Sequence, residues 1–277
     1  QTDAGEYVLG LATGNSPTGL YKNLARAFNE GALDARRVRS FNLDEYVGLP
    51  GENAQQRALH PESYSYFMIR ELFGLLDTTF AETSVPWGTL IEQDDLIEAL
   101  GRDTAAYEMQ GADQGKAIVI RDDADGALGR IKRDVLDAYE AKIAHSGGID
   151  LHIVGVGGRG HVAFHESGIP FEGNRMLLVK LDDSTVGNAV ADGHFDSVED
   201  SPRYAVSMGA ELVYKARSVV LVANGSRKTG PVAESALGDI TPDVPISYGQ
   251  TYAARGGNLV YVLDEEAAAE LLAHRAA

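Results

Sequence analysis

The chain has 277 residues, of which 44% are hydrophobic and 23% are charged, and its formal net charge at pH 7 is −17. This composition is that of a globular protein, and no apolar run approaches the roughly 18 residues that cross a bilayer. The acidic excess repels phosphate backbones, so nucleic acid is not expected as a partner. The absence of cysteine excludes disulfides and thiolate metal sites, and it is compatible with the cytoplasm, where we expect the protein.

Strand-like apolar runs alternate with helical patterns along the chain. Strands are predicted at Tyr7–Ala12, Val38–Leu43, Ala117–Ile120, Leu151–Val156, Met176–Leu181, Ser218–Ala223 and Leu259–Leu263. Helices are predicted at Thr18–Asn29, Pro61–Leu76, Asp94–Met109, Arg130–Ala144, Ser226–Leu237 and Glu265–His274. Several strands are continuously hydrophobic, which indicates burial on both faces. The pattern predicts one α/β domain over residues 1–277, a Rossmann-like three-layer fold with a mostly parallel central sheet covered by helices on both faces.

In such a sheet, ligands lie beyond the carboxyl ends of the strands, so the loops that follow the strands are the first candidates for function. The loop after the first strand contains Gly14, Asn15 and Ser16, and a helix is predicted to begin at Thr18. Free N–H groups at a helix start form an anion site. The alternative is that Ser16 or Thr18 only caps the helix.

The second predicted strand ends in two adjacent carboxylates, Asp44 and Glu45. Neighbouring residues on an extended chain face opposite ways, so only one of the two is expected to enter a site. A carboxylate in a mostly apolar cleft has a raised pKa and can act as a general base. The alternative is an exposed acidic turn in an acidic protein.

A glycine-rich loop follows the strand that begins at Leu151. It places Gly158 and Arg159 before His161, and Glu166 comes five residues after the histidine. Histidine is the natural proton carrier near neutral pH, and a nearby carboxylate fixes its tautomer. This pattern favours a catalytic histidine over a structural one. A further loop, after Ala223, carries Lys228 near a helix start, where its ammonium group can hold a phosphate or simply be solvated.

These segments together resemble the glucosamine-6-phosphate deaminase family, within the broader group that includes the 6-phosphogluconolactonases. The resemblance rests on TGNSPTGLY, FNLDEYVGLP with HPESYSYFM, GVGGRGHVAFHES, PRYAVSMG and GSRK. They occur in the family's order and cover most of the chain. FNLDEYVGLP with HPESY is specific to the deaminase branch, whereas the glycine-rich loop with Gly-His is shared with the lactonases.

The resemblance implies ring opening of an amino-sugar phosphate, proton transfer from C2 to C1, and release of ammonia to give a ketose phosphate. It assigns the C2 base to Asp44 and ring opening to His161, oriented by Glu166. It assigns the phosphate to Ser16, Thr18 and Lys228, helped by backbone N–H groups of the first loop. No metal or organic cofactor is implied. A homo-oligomer is compatible with the resemblance, although no segment indicates one.

The sequence departs from the family pattern at several positions. Arg159 stands where the family has an Asp that joins the histidine in proton transfer, and Val190 stands where the family places an Arg on the phosphate. His165 and Ser167 replace the Asn and Pro around Glu166, and residues 90–133 resemble an insertion. Arg cannot act as a base at accessible pH.

These departures leave three interpretations of Arg159. It is an anion ligand in place of the missing Arg, or it marks an isomerase or deaminase of a different acidic sugar, or it turns outward to pair with acidic residues. Two further functions remain open, a 6-phosphogluconolactonase-like hydrolase and a non-catalytic sugar-phosphate sensor. Retention of Asp44, His161 and Glu166 argues against the sensor.

Overall fold

The computed structural model describes residues 5–276, which form two β-sheets and their covering helices. The strands are β1 Tyr7–Leu11, β2 Val38–Asn42, β3 Asp44–Val47, β4 Glu82–Ser84, β5 Tyr107–Gln110, β6 Lys116–Ile120, β7 Leu151–Val154, β8 Met176–Lys180, β9 Tyr204–Met208, β10 Ser218–Ala223 and β11 Asn258–Leu263. The α-helices are α1 Thr18–Asn29, α2 Ala54–Ala58, α3 Tyr64–Glu71, α4 Gln93–Arg102, α5 Gly126–Arg130, α6 Ala138–His145, α7 Asp183–Ala191, α8 Ala210–Val213, α9 Thr229–Leu237, α10 Tyr248–Ala254 and α11 Ala269–Ala276, and a π-helical segment, Ile131–Asp137, joins α5 to α6.

The larger sheet has six parallel strands in the order β11-β10-β7-β1-β2-β4. Helix α6 packs Tyr139 and Ile143 against one face of this sheet. On the other face, α1 buries Tyr21, Ala25 and Phe28, whose spacing of about one helical turn forms a single apolar stripe. The predicted fold class, a parallel α/β sheet between helical layers, is confirmed.

A second sheet of five antiparallel strands has the order β3-β9-β8-β6-β5. Two strands that the sequence predicts, β6 and β8, belong to it rather than to the central sheet. The predicted helix Asp94–Met109 is wrong at its end, because residues 107–110 form β5 and pair with β6. Residues 90–133 contain α4, the β5–β6 hairpin and α5. No helix within residues 5–276 is both long and apolar enough to span a membrane.

The two sheets meet at Leu43, between β2 and β3. Its N–H donates to the carbonyl of Leu11 in the parallel sheet, at 3.1 Å, and its carbonyl accepts from the N–H of Met208 in the antiparallel sheet, at 2.7 Å. Leu43 is 2% exposed. The next residue, Asp44, therefore stands at the junction of the sheets.

Candidate active site

A cleft of about 580 Å³ lies where the loops after β1, β7 and β10 and the start of β3 converge. These loops follow the carboxyl ends of parallel strands, as the fold predicts. The residues that line the cleft include Gly14, Asn15, Ser16, Asp44, Gly158, His161, Asp192, His194, Arg227, Lys228 and Glu266. Two of the four predicted catalytic residues, Asp44 and His161, are among them.

Asp44 and Glu45 face opposite ways, as the extended chain predicts. Asp44 lines the cleft and is 5% exposed, and its Oδ1 has no hydrogen-bond partner among the described residues. Burial, and then the neighbouring Glu45 carboxylate, raises the pKa of Asp44 well above its usual value. In its ionised form, a carboxyl group with one oxygen unengaged can accept a proton from a ligand in the cleft.

Glu45 instead holds the start of α3. Its carboxylate accepts hydrogen bonds from the N–H groups of Tyr64 and Ser65 and from the hydroxyls of Ser63 and Ser65, at 2.8–3.0 Å. A carboxylate at this position satisfies amide groups that have no partner within the helix. The adjacent carboxylates therefore have different surroundings: Asp44 faces the cleft and Glu45 stabilises the fold.

His161 lies in the cleft with Glu166 behind it. The His161 Nδ1 is 4.0 Å from Glu166 Oε2, which is too long for a direct hydrogen bond. Glu166 is 2% exposed and accepts hydrogen bonds from the Asp182 N–H and the Thr185 hydroxyl. Gly157 makes room for the ring, because a Cβ there would lie 1.9 Å from the His161 Nε2.

The protonation states of this pair follow from burial. Burial, and then the Lys228 cation, lowers the pKa of His161 to about 4. Burial raises the pKa of Glu166 to about 7, against the hydrogen bonds from Asp182 and Thr185. At neutral pH the imidazole is therefore neutral and can accept a proton.

The pKa of Glu166 predicts a pH-dependent stability. Because the folded pKa of about 7 exceeds the ordinary value of 4.5, folding favours the protonated acid, and this contribution is lost as the pH rises from 4.5 to 7. The shift corresponds to about 3 kcal/mol. In Glu166→Gln, the free energy of unfolding relative to wild type should therefore rise by about 3 kcal/mol between pH 4.5 and 8.

Urea denaturation at several pH values measures this difference. Glu98→Gln is the matched control, since Glu98 is exposed on α4 with 74% of its side-chain surface accessible. A difference between Glu166→Gln and wild type that stays constant with pH would contradict the assigned pKa.

The first loop presents unengaged backbone N–H groups beside the cleft, and one of its predicted residues, Thr18, lies elsewhere. Gly14 adopts φ +98°, which an L side chain rarely tolerates, and the amides of Gly14, Asn15 and Ser16 make no hydrogen bond to the described part of the chain. The Ser16 hydroxyl donates to Asn224 Oδ1 at 2.9 Å. Thr18 does not line the cleft, and its hydroxyl donates to the Asn15 carbonyl at the start of α1.

Lys228 reaches the cleft from the loop after β10. Its Nζ donates to the Val156 carbonyl at 2.7 Å, which fixes the ammonium group beside the glycine-rich loop. Burial, and then Arg227, lowers its pKa. Gly158 also lines the cleft, in the loop after β7. A cation, a hydroxyl and several amides are thus available to one anion.

Arg159, the fourth predicted catalytic residue, does not line the cleft. Its guanidinium donates to Asp113, in the β5–β6 turn, and to Asp182 Oδ2 at 3.2 Å, next to the start of α7. A weaker contact of 3.5 Å reaches the Ser167 hydroxyl. Arg159 is therefore placed outward, between two carboxylates, as the third sequence interpretation describes.

Several residues that line the cleft were not predicted from the sequence. Asp192 and His194 follow α7, and Glu266 and Arg227 come from the loops after β11 and β10. Asp192 pairs with Arg227, and His194 pairs with Glu62. Arg227 lies in the GSRK segment but was assigned no role from the sequence. No motif marks Asp192, His194 or Glu266, because ion pairs between distant segments leave no spacing signal in the sequence. Within residues 5–276, no three His, Asp or Glu side chains converge as metal ligands.

His165 and Val190, two of the departures, are explained differently. The His165 ring is fully buried, with Nε2 2.9 Å from the Ile169 carbonyl and Nδ1 accepting from the Ala210 N–H at 3.0 Å. Its role is to connect backbone segments behind the cleft. Val190 lies in α7 and is not among the residues that line the cleft.

No protein-family model matches the chain. A glucosamine-6-phosphate deaminase from Rhodopirellula baltica is 36% identical over 269 residues, which cover 97% of this chain and 86% of that protein. One from Clostridium perfringens is 33% identical over 263 residues, covering 95% and 87%.

Among solved structures, a monomeric glucosamine-6-phosphate deaminase superposes with a TM-score of 0.69 at 25% identity, covering 95% of this chain and 88% of that one. A 6-phosphogluconolactonase from Trypanosoma brucei has a TM-score of 0.56 at 18% identity, covering 96% and 86%, which shows a shared fold. Identity above 30% over nearly the whole chain is decisive: the chain belongs to the glucosamine-6-phosphate deaminase family.

Proposed function

We propose that this protein converts glucosamine 6-phosphate and water into a ketose phosphate and ammonia. The observation that carries the proposal is Asp44, a buried carboxyl group with an unengaged oxygen in the same cleft as the His161–Glu166 pair. A base and a separate proton carrier are what an aldose-to-ketose proton transfer requires. The substrate, glucosamine 6-phosphate, is that of the related deaminases.

Ring opening is assigned to His161. The neutral imidazole takes the proton from the C1 hydroxyl and returns a proton to the ring oxygen, so that the C1–O5 bond breaks and C1 becomes an aldehyde. Glu166 behind the ring stabilises the imidazolium that forms in between. This is general acid–base catalysis by one side chain.

Proton transfer is assigned to Asp44. Its carboxylate removes the C2 proton, and the electrons of that C–H bond form a C1–C2 double bond while the π electrons of the C1 carbonyl move to O1. O1 takes a proton from the ammonium group of the substrate, which gives a neutral enolamine. The same proton returns to C1, which leaves an iminium group at C2. Water adds to C2 and ammonia leaves, giving the C2 ketone. The positive amino group of the bound substrate favours the ionised form of Asp44, which offsets the effect of burial on its pKa.

Arg159 supports this chemistry without entering the cleft. Its guanidinium holds the Asp182 carboxylate, and the Asp182 N–H donates to Glu166. The different-sugar alternative was based on the replacement of the family's Asp by Arg159. The position of Arg159 outside the cleft, paired with Asp113 and Asp182, supports the ordinary reaction instead. The lactonase alternative is supported by structural similarity of the fold.

Ammonia and ketose phosphate formation from glucosamine 6-phosphate test the proposal, with galactosamine 6-phosphate as the comparison sugar. We expect wild type to release both products in equal amounts. Arg159→Asp should not gain activity, because the new carboxylate would face Asp113 and Asp182. It should lower the free energy of unfolding by about 1–3 kcal/mol, since the buried Asp182 carboxylate loses a partner. A wild type that releases no ammonia would refute the proposal. If Arg159→Asp were then active, Arg159 would mark a change of substrate.

A further inference from the structure

Within the described part of the chain, one arginine and one lysine line the cleft, Arg227 and Lys228. Both belong to the short 3₁₀ helix Ser226–Lys228 that follows β10. The Ser16–Asn224 hydrogen bond joins this segment to the first loop. The two cations and the free amides of Gly14 and Asn15 therefore lie at the same end of the cleft.

The single positive charge of Lys228 is smaller than the negative charge of a phosphate monoester. A phosphate group carries a charge of about −1.5 to −2 at neutral pH, and the protein carries a formal net charge of −17. Glu266 also lines the cleft, with its carboxylate accepting from the Ser226 N–H at 3.0 Å. A second cation in the cleft would offset more of this negative charge and strengthen phosphate binding.

Arg227 is placed to be that cation. Its side chain is 78% exposed, and its Nη1 pairs with Asp192 Oδ1 at 2.9 Å. Asp192 itself lines the cleft, directly after α7. An exposed ion pair of this kind contributes little to stability, so it separates readily. A phosphate offers the planar guanidinium two acceptor oxygens and more charge than one carboxylate does.

We propose that Arg227 binds the phosphate group of the substrate. In the free protein Asp192 pairs with Arg227, and the phosphate takes the place of the Asp192 carboxylate when the substrate binds. This inference rests on the proposed function, because it concerns the phosphate of the same substrate. Arg227 then supplies from the loop after β10 the guanidinium that the family pattern places near Val190. Asp192 competes with the phosphate and thereby sets the affinity.

The first test is Arg227→Ala, with KM and kcat for glucosamine 6-phosphate and the inhibition constant of inorganic phosphate as readouts. Loss of a charge-assisted hydrogen bond should raise KM and the phosphate inhibition constant in parallel, by about 10–100-fold. The decrease in kcat should be far smaller, because the phosphate is remote from the reacting carbons. Arg227→Lys should recover part of the affinity.

Asp192→Asn should have the opposite effect. Removing the competing carboxylate should lower both constants by about two- to fivefold. The matched controls are Arg203→Ala and Asp183→Asn, which break a similar ion pair of 3.2 Å at the other end of α7, away from the cleft. Both controls should leave KM within twofold of wild type.

If wild type is active and Arg227→Ala keeps KM and the phosphate inhibition constant within twofold of wild type, the role of Arg227 is overturned. The proposed function is not affected by that result. Equal changes in Arg227→Ala and Arg203→Ala also overturn the role of Arg227, because they indicate a general effect of lost positive charge. A wild type that releases no ammonia refutes the proposed function instead. The binding of inorganic phosphate, followed as a rise in the melting temperature, still tests Arg227 in that case.

Discussion

Replacing Asp44 with Asn should lower kcat for ammonia release by about 10²–10⁴-fold, the range that a positioned general base contributes. The amide keeps the shape of the side chain and cannot take the C2 proton. Proton abstraction should then limit the rate, so glucosamine 6-phosphate deuterated at C2 should react measurably more slowly than the protonated sugar. Stability should be retained, because the buried carboxylate of Asp44 lacks full hydrogen bonding in the fold.

Glu45→Gln is the matched control for Asp44→Asn. It changes the adjacent carboxylate in the same way, but Glu45 accepts hydrogen bonds that hold α3. Whichever way the amide lies, at least one backbone N–H loses its acceptor, so the free energy of unfolding should fall by about 1–3 kcal/mol. If Asp44→Asn kept the wild-type kcat for ammonia release, Asp44 would not be the base.

His161→Gln should lower kcat/KM by a similar factor, about 10²–10⁴-fold, but at a different step. Without the imidazole, opening of the sugar ring should limit the rate. The C2 deuterium effect should therefore disappear in His161→Gln, whereas it should be largest in Asp44→Asn. Steady-state rates with the two isotopic forms of the substrate separate these roles.

His165→Asn is the control for the histidine substitution. The two histidines are four residues apart, but His165 binds the Ile169 carbonyl and the Ala210 N–H behind the cleft. Its loss should change stability rather than rate, with kcat/KM within about threefold of wild type. A full C2 deuterium effect in His161→Gln would contradict the assignment of ring opening to His161.

Strand periodicity was sufficient to predict the parallel sheet, whereas the roles of the site residues came from the resemblance to the deaminase family and stay predictions. The continuous apolar runs at β7 and β10 indicated buried strands, and alternation along the chain separated Asp44 from Glu45. Asp44 comes two residues after the end of β2, and His161 and Glu166 follow β7, so the carboxyl ends of two strands of the parallel sheet direct these residues to the same edge.

Long-range pairing explains what the sequence did not predict. Arg159 is held by Asp113 and Asp182, which are 46 and 23 residues away, and nothing local directs its side chain outward. Residues 107–110 form a half-exposed strand whose pairing partner, β6, decides its conformation. The cleft residues Asp192 and Arg227 come from separate segments that only the folded chain brings together.

The peptide units around Leu43 belong to both sheets at once, since the Leu43 N–H is bonded to Leu11 and its carbonyl to Met208. Asp44 follows immediately, whereas His161 follows β7 of the parallel sheet. A small rotation of one sheet against the other would therefore change the distance between base and histidine. Under the proposed mechanism, the accuracy of the proton transfers then depends on the contact between the sheets. We therefore expect some substitutions in the antiparallel sheet to alter the rate although they change no residue that lines the cleft.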